Sequence, residues 1–577
     1  MKIEFITLGV YLIILMVLGG LFSRLNRNVS DFARGGAQGT WWMVGTSMFM
    51  AGISAFTFTG NASAAFEAGP SFLVIYAANC VGLALCIWIG PWFRQTRATT
   101  WADIMRDRFN VGVEQFSAVI SLLIQPVSAA TQLYALSVFT SVILEVPTTA
   151  VIVVLGVIVL FYSTSGGRWA VMATDFVQGL VMFALTILMF FLSLREIGGL
   201  GAFFEYFSDP AFQSDFTFVK QPGAFPDDKF TWKWMVVIFI LQLQGYINLG
   251  TAGRFLSVKD GRNARLAALW ACLLMFIGSI IWFVPPMVGR FLYESEIMAM
   301  DVKEPATASY AFMAQQVLPN GLMGFMLAAM LAATMSSMDT GLNNTTGVIV
   351  NNMIPRLRSR RNLDPLSDRS QLFLCRFSTV LLGVYIIVIA LLLGLQQKLS
   401  LFDAYLMISA VIGLPLGMPV LLALWIKRLH WMSYYIIIGC ALIPSTYFVY
   451  QSMVLDVSWP IQDRLIWIYL FSAIGCVGSL PIWRFAGESY KQRVKEFYQR
   501  MHTPVDFERE IGEQHDRFQY LAIGGTSVVI GLLLLGFIFL PNTGSGKLQI
   551  ASVGGSILLT GLLLLLLSRK CKAKGQK

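Results

Sequence analysis

The sequence predicts an all-α polytopic membrane protein of about 15 spanning helices, and three observations carry that reading. Of the 577 residues, 56% are hydrophobic and only 13% charged, against about a quarter charged in ordinary soluble domains. Apolar runs of about 18 or more residues recur along the whole chain, each long enough to cross a hydrocarbon core of about 30 Å as a helix. The Lys and Arg residues gather between those runs, where they orient a membrane protein. A net charge of +10 therefore points to an anionic membrane face and not to nucleic acid. Seven cysteines lie apart with no CxxC, and His430, His502 and His515 all fall in loops. A disulfide framework, a structural zinc site and buried imidazole chemistry are all unsupported.

The runs lie at roughly 4–22, 41–62, 71–92, 113–143, 148–164, 170–194, 233–253, 266–289, 308–352, 372–395, 402–426, 431–450, 465–483, 518–540 and 549–567. The first is a membrane helix and not a signal peptide, because only Lys2 precedes it while Arg24, Arg27 and Arg34 follow. With the amino terminus outside, the loops facing the cytoplasm hold about 32 of the 42 Lys and Arg residues. The carboxyl terminus is then cytoplasmic, and the expected location is the plasma (inner) membrane. The outer loop from Glu196 to Trp232 is acidic and could cover a solute entrance. The inner stretch from Arg484 to Arg517 reads as a solvated connector.

Polar groups inside spanning helices mark function, because lipid makes them costly unless they are paired, hydrated or ligating. In the 308–352 run, Ser336, Asp339, Thr340, Asn343 and Asn344 fall on one helical face, with Ser337 beside it. Oxygen donors of this kind suit a hard cation. Asp175 lies one to two turns into its helix, with Gln178 on the same face. Two runs look broken. SMFMAGISAFTFTGNASAAFEAG carries Gly52 and Gly60 around Ser54, Thr57 and Thr59. LQLQGYINLGTAGRFL carries Gly245, Gly250 and Gly253 beside Gln242, Gln244, Tyr246 and Asn248. Unwound helix pairs build solute and ion sites near the midplane of transporters. Tyr76 and Asn79 can reach the same cavity, and Gly413, Pro415, Gly417 and Pro419 suggest a hinge.

These residues resemble the sodium:solute symporter family of sodium-coupled sugar, proline, pantothenate, iodide and sialic acid transporters. The matching pieces are WWMVGTSMFMAGIS, GGRWAVMATDFVQ, GRFLSVKDGRNAR, ATMSSMDTGLN and IKRLHW, in family order across about residues 5–450. The resemblance implies the leucine-transporter-type 5+5 inverted repeat. Residues 1–40 would be a leading helix and loop, 41–194 the first repeat, 195–232 an extracytoplasmic loop and 233–426 the second repeat. Residues 427–483 would add two peripheral helices, 484–517 a cytoplasmic connector, and 518–577 two additional helices with a basic tail.

It also implies a sodium site from the backbone carbonyls of Met50, Ile53 and Ala333 and the hydroxyls of Ser336 and Ser337. A second cation site, present in some members, would use Asp175 with Ser336, Asp339 and Thr340, although sugar and sialic acid carriers have a hydroxyl where Asp339 stands. Two carboxylates facing one cavity would invite a second sodium or a shared proton. Solute contacts would come from Ser54, Thr57, Tyr76, Gln132, Gln242, Gln244 and Tyr246. The third core helix carries no Arg or Lys, which leans toward a neutral, sugar-like solute.

The expected function is secondary active transport, sodium-coupled symport of a small polar solute by alternating access. Sodium is the coupling ion, with no organic cofactor; the partners are the solute, sodium and lipid, with no nucleic acid and no obligate protein. A membrane sensor on a transporter scaffold and a proton-coupled symporter are the alternatives. An enzyme is not expected, since no intramembrane nucleophile with a base is present. The charge asymmetry places Arg106, Lys259, Arg360 and Arg493 inside and Asp215 and Lys303 outside. Single cysteines labelled with an impermeant reagent in intact cells should react at 215 and 303 only; reaction at 360 but not 215 would reverse the topology.

Overall fold

The computed structural model describes residues 2–144, 146–300, 302, 304–319, 321–395, 409–457, 459–512 and 514–574, and these contain helices and no strand. Lys303 and the first part of the 402–426 run lie outside them. Twelve helices among the described residues are long and apolar enough to span a membrane, and Thr148–Leu160 and Ser409–Trp425 are shorter apolar helices. The remaining run, 41–62, is split, so the fifteen apolar runs are accounted for.

The leading helix α1 (Lys2–Ser23) and the short α2 (Val29–Arg34) precede the first broken helix, α3 (Trp41–Ala51) and α4 (Gly60–Ala68). Next come α5 (Leu73–Gln95), the short α6 (Trp101–Arg108), α7 (Val111–Leu144) and α8 (Thr148–Glu196). Within α8 two helices meet at Gly167, whose φ of 60° and ψ of −173° lie where a side chain is strained. The second broken helix is α9 (Trp232–Tyr246) and α10 (Leu249–Phe255), followed by α11 (Gly261–Ile281) and α12 (Val284–Leu292). Then follow α13 (Ser309–Val317), α14 (Leu322–Val348), α15 (Asp368–Leu395), α16 (Leu414–Trp425), α17 (Trp431–Val454), α18 (Ile461–Ser479), α19 (Glu488–His502), α20 (Asp516–Gly536) and α21 (Gly544–Lys574).

Two expectations need correction. The 308–352 run is not one helix: α13 ends at Val317, the chain turns through Leu318 and Pro319, and α14 begins at Leu322. A hydropathy window averages across the break, but the Pro319-Asn320-Gly321 run is a turn signal inside the apolar stretch. The stretch 484–517 is not a solvated connector either. In α19, Tyr490, Val494, Phe497, Tyr498 and Met501 are buried, an i, i+4, i+7, i+8, i+11 stripe that docks the helix. Arg500 pairs with Asp107 at 3.0 Å and Arg97 with Glu510 at 2.8 Å, so this strap lies across the end of the molecule that carries the basic loops.

The core is built from helices whose polar backbone is satisfied internally, as lipid requires. The broken α3–α4 lies against α8, α11 and α14, while α5 packs on α9 and α11. At the opposite end, Phe203, Tyr206, Phe207, Phe212 and Phe216 of the 195–232 loop pack around Phe291 of α12. Arg290 pairs with Asp215 at 3.1 Å. The loop thus forms an aromatic cap over that end. Its Lys220 donates to the Thr217 carbonyl at 2.7 Å. Burial lowers that ammonium's pKa to about 8, and Asp215 opposes the shift.

Candidate functional site

Breaking a helix inside a membrane frees backbone groups that need new partners. After α3 the chain leaves helical geometry at Ser54, whose hydroxyl accepts from Phe56 N–H at 3.2 Å. The Ala55 amide is taken by Thr334 Oγ1 of α14 at 2.9 Å. The freed carbonyls turn to Ser337, whose hydroxyl lies 3.0 Å from the Ile53 oxygen and 3.4 Å from those of Ala51 and Ala333. Three carbonyls and a hydroxyl gather where α14 passes the break, a donor set suited to a hard cation. Met50 departs from expectation: its carbonyl stays in the last turn, accepting from the Gly52 and Ile53 amides. Ala51, one residue further, presents its carbonyl instead, because the helix stops there. Ser336 is buried beside Asp175, and its hydroxyl faces that carboxylate.

The second break is capped in the same way. Ile247 leaves helical geometry and the Asn248 side chain accepts from the Thr251 amide at 3.0 Å, a cap that restarts α10. Between the two breaks lies a cavity of about 340 Å³. Ser54, Thr57, Tyr76, Gln132, Gln242 and Tyr246 line it, and Ser337 and Thr340 reach it from α14. The Tyr76 hydroxyl lies 3.3 Å from Thr57 Oγ1 and accepts from Asn61 Nδ2 at 3.0 Å. Gln244 does not line it. Two residues from Gln242 is about 200° around a helix, and Gln244 instead reaches the Leu414 carbonyl at 3.5 Å and Tyr469 at 3.4 Å.

The polar face of α14 is in fact two faces. Ser337, Thr340, Gly341 and Asn344 line the cavity, whereas Ser336, Asp339 and Asn343 are buried away from its lining. Neither Asp175 nor Asp339 is a lining residue, so the expected pair of carboxylates facing the solute space is not what the helices present. The charge that faces Asp175 is a guanidinium. Arg254 at the end of α10 has Nη1 3.9 Å from Asp175 Oδ2 and 2.7 Å from Ser47 Oγ, and Ser47 in turn donates to Asp175. Its Nη2 donates to Thr340 Oγ1. Arg168, just past the Gly167 break, donates to Asn344 and to the Ala33 carbonyl at 3.2 Å. Both arginines are buried and lie between the cavity and the basic end.

The sequence reading missed Arg254 and Arg168 as site residues because it counted basic residues as loop markers. The signal was present in Arg254, which stands between Gly253 and the apolar Phe255 and Leu256. Asn61 and Gln125 also line the cavity, their only trace in the sequence being amides embedded in apolar runs, and Asn344 joins them from the polar face already read in its run.

The arrangement is paralleled in known proteins. Residues 32–432 match the sodium:solute symporter family. The chain is 22% identical over 446 residues to the sodium/sialic acid symporter NanT of Aliivibrio fischeri, covering 74% of this chain and 83% of that one. It is 24% identical over 454 residues to mouse sodium/glucose cotransporter 1, covering 73% of this chain and 67% of that one. A solved substrate-bound, outward-open sodium-coupled sialic acid symporter superposes with a TM-score of 0.70 at 19% identity, covering 83% of this chain and 98% of that one, which establishes the shared fold. This chain belongs to the sodium:solute symporter family, a family of sodium-coupled membrane transporters and not of enzymes.

Proposed function

We propose that the protein couples inward sodium movement to uptake of a small, neutral, polyhydroxylated solute by alternating access, with the basic end facing the cytoplasm. The observation that carries this reading is the chemistry of the cavity. Asn61, Asn79, Gln125, Gln132, Gln242, Asn248 and Asn344 surround it with amides, joined by the hydroxyls of Thr57, Tyr76 and Thr251. Amides both donate and accept, which suits sugar-like hydroxyls. Among the described residues the one charged member of the lining, Arg254, is already engaged by Ser47, Asp175 and Thr340, so they offer no free charge to a carboxylate.

Sodium would sit among the carbonyls of Ala51, Ile53 and Ala333 and the hydroxyls of Ser336 and Ser337, with Met50 contributing only if its turn loosens. The Asp175, Ser336, Asp339 and Thr340 group is where a second cation would have been expected. Arg254 already supplies the positive charge there, which favours one sodium per cycle. Bound sodium at Ser337 would tie α14 to the first broken helix, and Arg254 with Arg168 would close the inner path beneath the solute.

Two experiments test this. In proteoliposomes, an inward sodium gradient should drive uptake of a neutral sugar-like solute from a panel of sugars, sugar acids, amino acids and vitamins, with a sodium Hill coefficient near one. Sodium-independent uptake, or transport of acids alone, would defeat the reading. Ser336→Ala with Ser337→Ala should weaken sodium about 10²-fold while leaving the helical circular dichroism unchanged.

A separate prediction concerns the buried charges. Arg254→Gln and Asp175→Asn should each lower the unfolding temperature in detergent, since stranding one member of a buried pair costs about 3–5 kcal/mol. The double neutral variant should recover most of the loss; simple additivity would mean that the two groups do not compensate one another.

A further inference from the structure

We propose that the added pair α20–α21 is a clamp on the inner ends of both broken helices, with Gln519 and Asp516 as its gripping residues. Gln519 is fully buried. Its Oε1 accepts from the Thr40 amide at 3.1 Å and its Nε2 donates to the Gln38 carbonyl at 3.2 Å. Those are the backbone groups that lead into α3: Thr40 is its N-cap residue and makes no side-chain cap, and the carboxamide accepts the N-cap amide as the reciprocal side chain of a capping box would. Three residues before it, Asp516 pairs with Lys259 at 2.6 Å, on the loop that leaves α10. That loop is itself joined to the lead-in of α3, where the Gly39 amide donates to the Ser257 carbonyl at 2.9 Å.

One turn of one peripheral helix therefore holds the start of the first broken helix and the exit of the second. Aromatic contacts widen the grip. Tyr520 stacks on Trp42 with ring centroids 5.2 Å apart, and Phe518 meets Phe22 at 5.1 Å. The clamp is also stiff. In the seam between α20 and α21, a Cβ on Gly561 would meet the Val528 nitrogen at 2.7 Å and the Gly524 oxygen at 2.8 Å, so the two backbones touch and move as one body.

In the arrangement described, Arg254 and Arg168 close the path to the basic end, and the clamp stabilises that closure by restraining the segments that would have to part. This rests on the alternating-access reading. A test uses the full chain in inside-out vesicles, native cysteines replaced, with Thr251→Cys in the cavity wall labelled by an impermeant maleimide from the cytoplasmic side. In the parent, sodium should slow labelling. Gln519→Ala should speed labelling in sodium by about tenfold, the worth of two buried hydrogen bonds. Asp516→Lys should speed it by about two- to fivefold, and the swap Lys259→Asp with Asp516→Lys should reverse that gain. Sodium-slowed labelling that is the same in parent and variants overturns the clamp alone. Labelling indifferent to sodium in the parent removes the alternating-access reading and the clamp with it.

Discussion

Everything in the centre of this protein follows from the unpaired backbone of two helices broken inside a membrane. With no water to receive them, each freed amide and carbonyl must find a protein partner or a ligand. Thr334 takes the Ala55 amide and Asn248 the Thr251 amide. The carbonyls of Ala51 and Ile53 converge on Ser337. Partners that satisfy a break also decide what it can bind, because the carbonyls left over are the ones available to a cation. The site is thus the remainder of a hydrogen-bond account, and α14 belongs to it because its hydroxyls are the nearest available groups.

The electrostatics obey the same economy. Asp175, Arg254 and Arg168 would each be prohibitive alone at this depth, yet linked through Ser47, Thr340 and Asn344 they compensate one another. All of these links cross between separate helices. Any movement that parts α10 from α14 must break the Arg254 contact with Thr340, so opening this route and reorganising the charge around Asp175 are the same event.

Much of the architecture was legible in the sequence, because span length and basic-residue placement are set by the bilayer rather than by neighbouring helices. Gly52 with Gly60 and Gly245 with Gly250 marked both breaks, since glycine and small polar residues are what an unwound segment tolerates. What escaped was contact that depends on where a neighbour stands. Periodicity grouped Ser336, Asp339, Thr340 and Asn344 on one face, but the face spans more than 100° and two different surroundings divide it. Gln244 was read with Gln242 although two residues on a helix point apart. Arg254 lay in a recognised motif, yet its partner Asp175 is 79 positions away in the chain, a separation that no local pattern encodes. The stripe on α19 was readable from Tyr490, Val494, Phe497 and Met501, and was hidden by the charges between them.

The amide lining of the cavity has an electrical consequence. In the proposed symport an uncharged solute would add nothing to the charge of the sodium beside it, so each inward crossing of the pair would carry one elementary charge through the membrane field. A potential of about 100 mV contributes about 2.3 kcal/mol to such a step, which corresponds to roughly fifty-fold accumulation before any sodium gradient is counted. A carboxylate solute would cancel that charge and forgo the contribution. For the proposed neutral solute, a lining of Asn and Gln around an already engaged Arg254 would make membrane voltage a direct driving force for uptake.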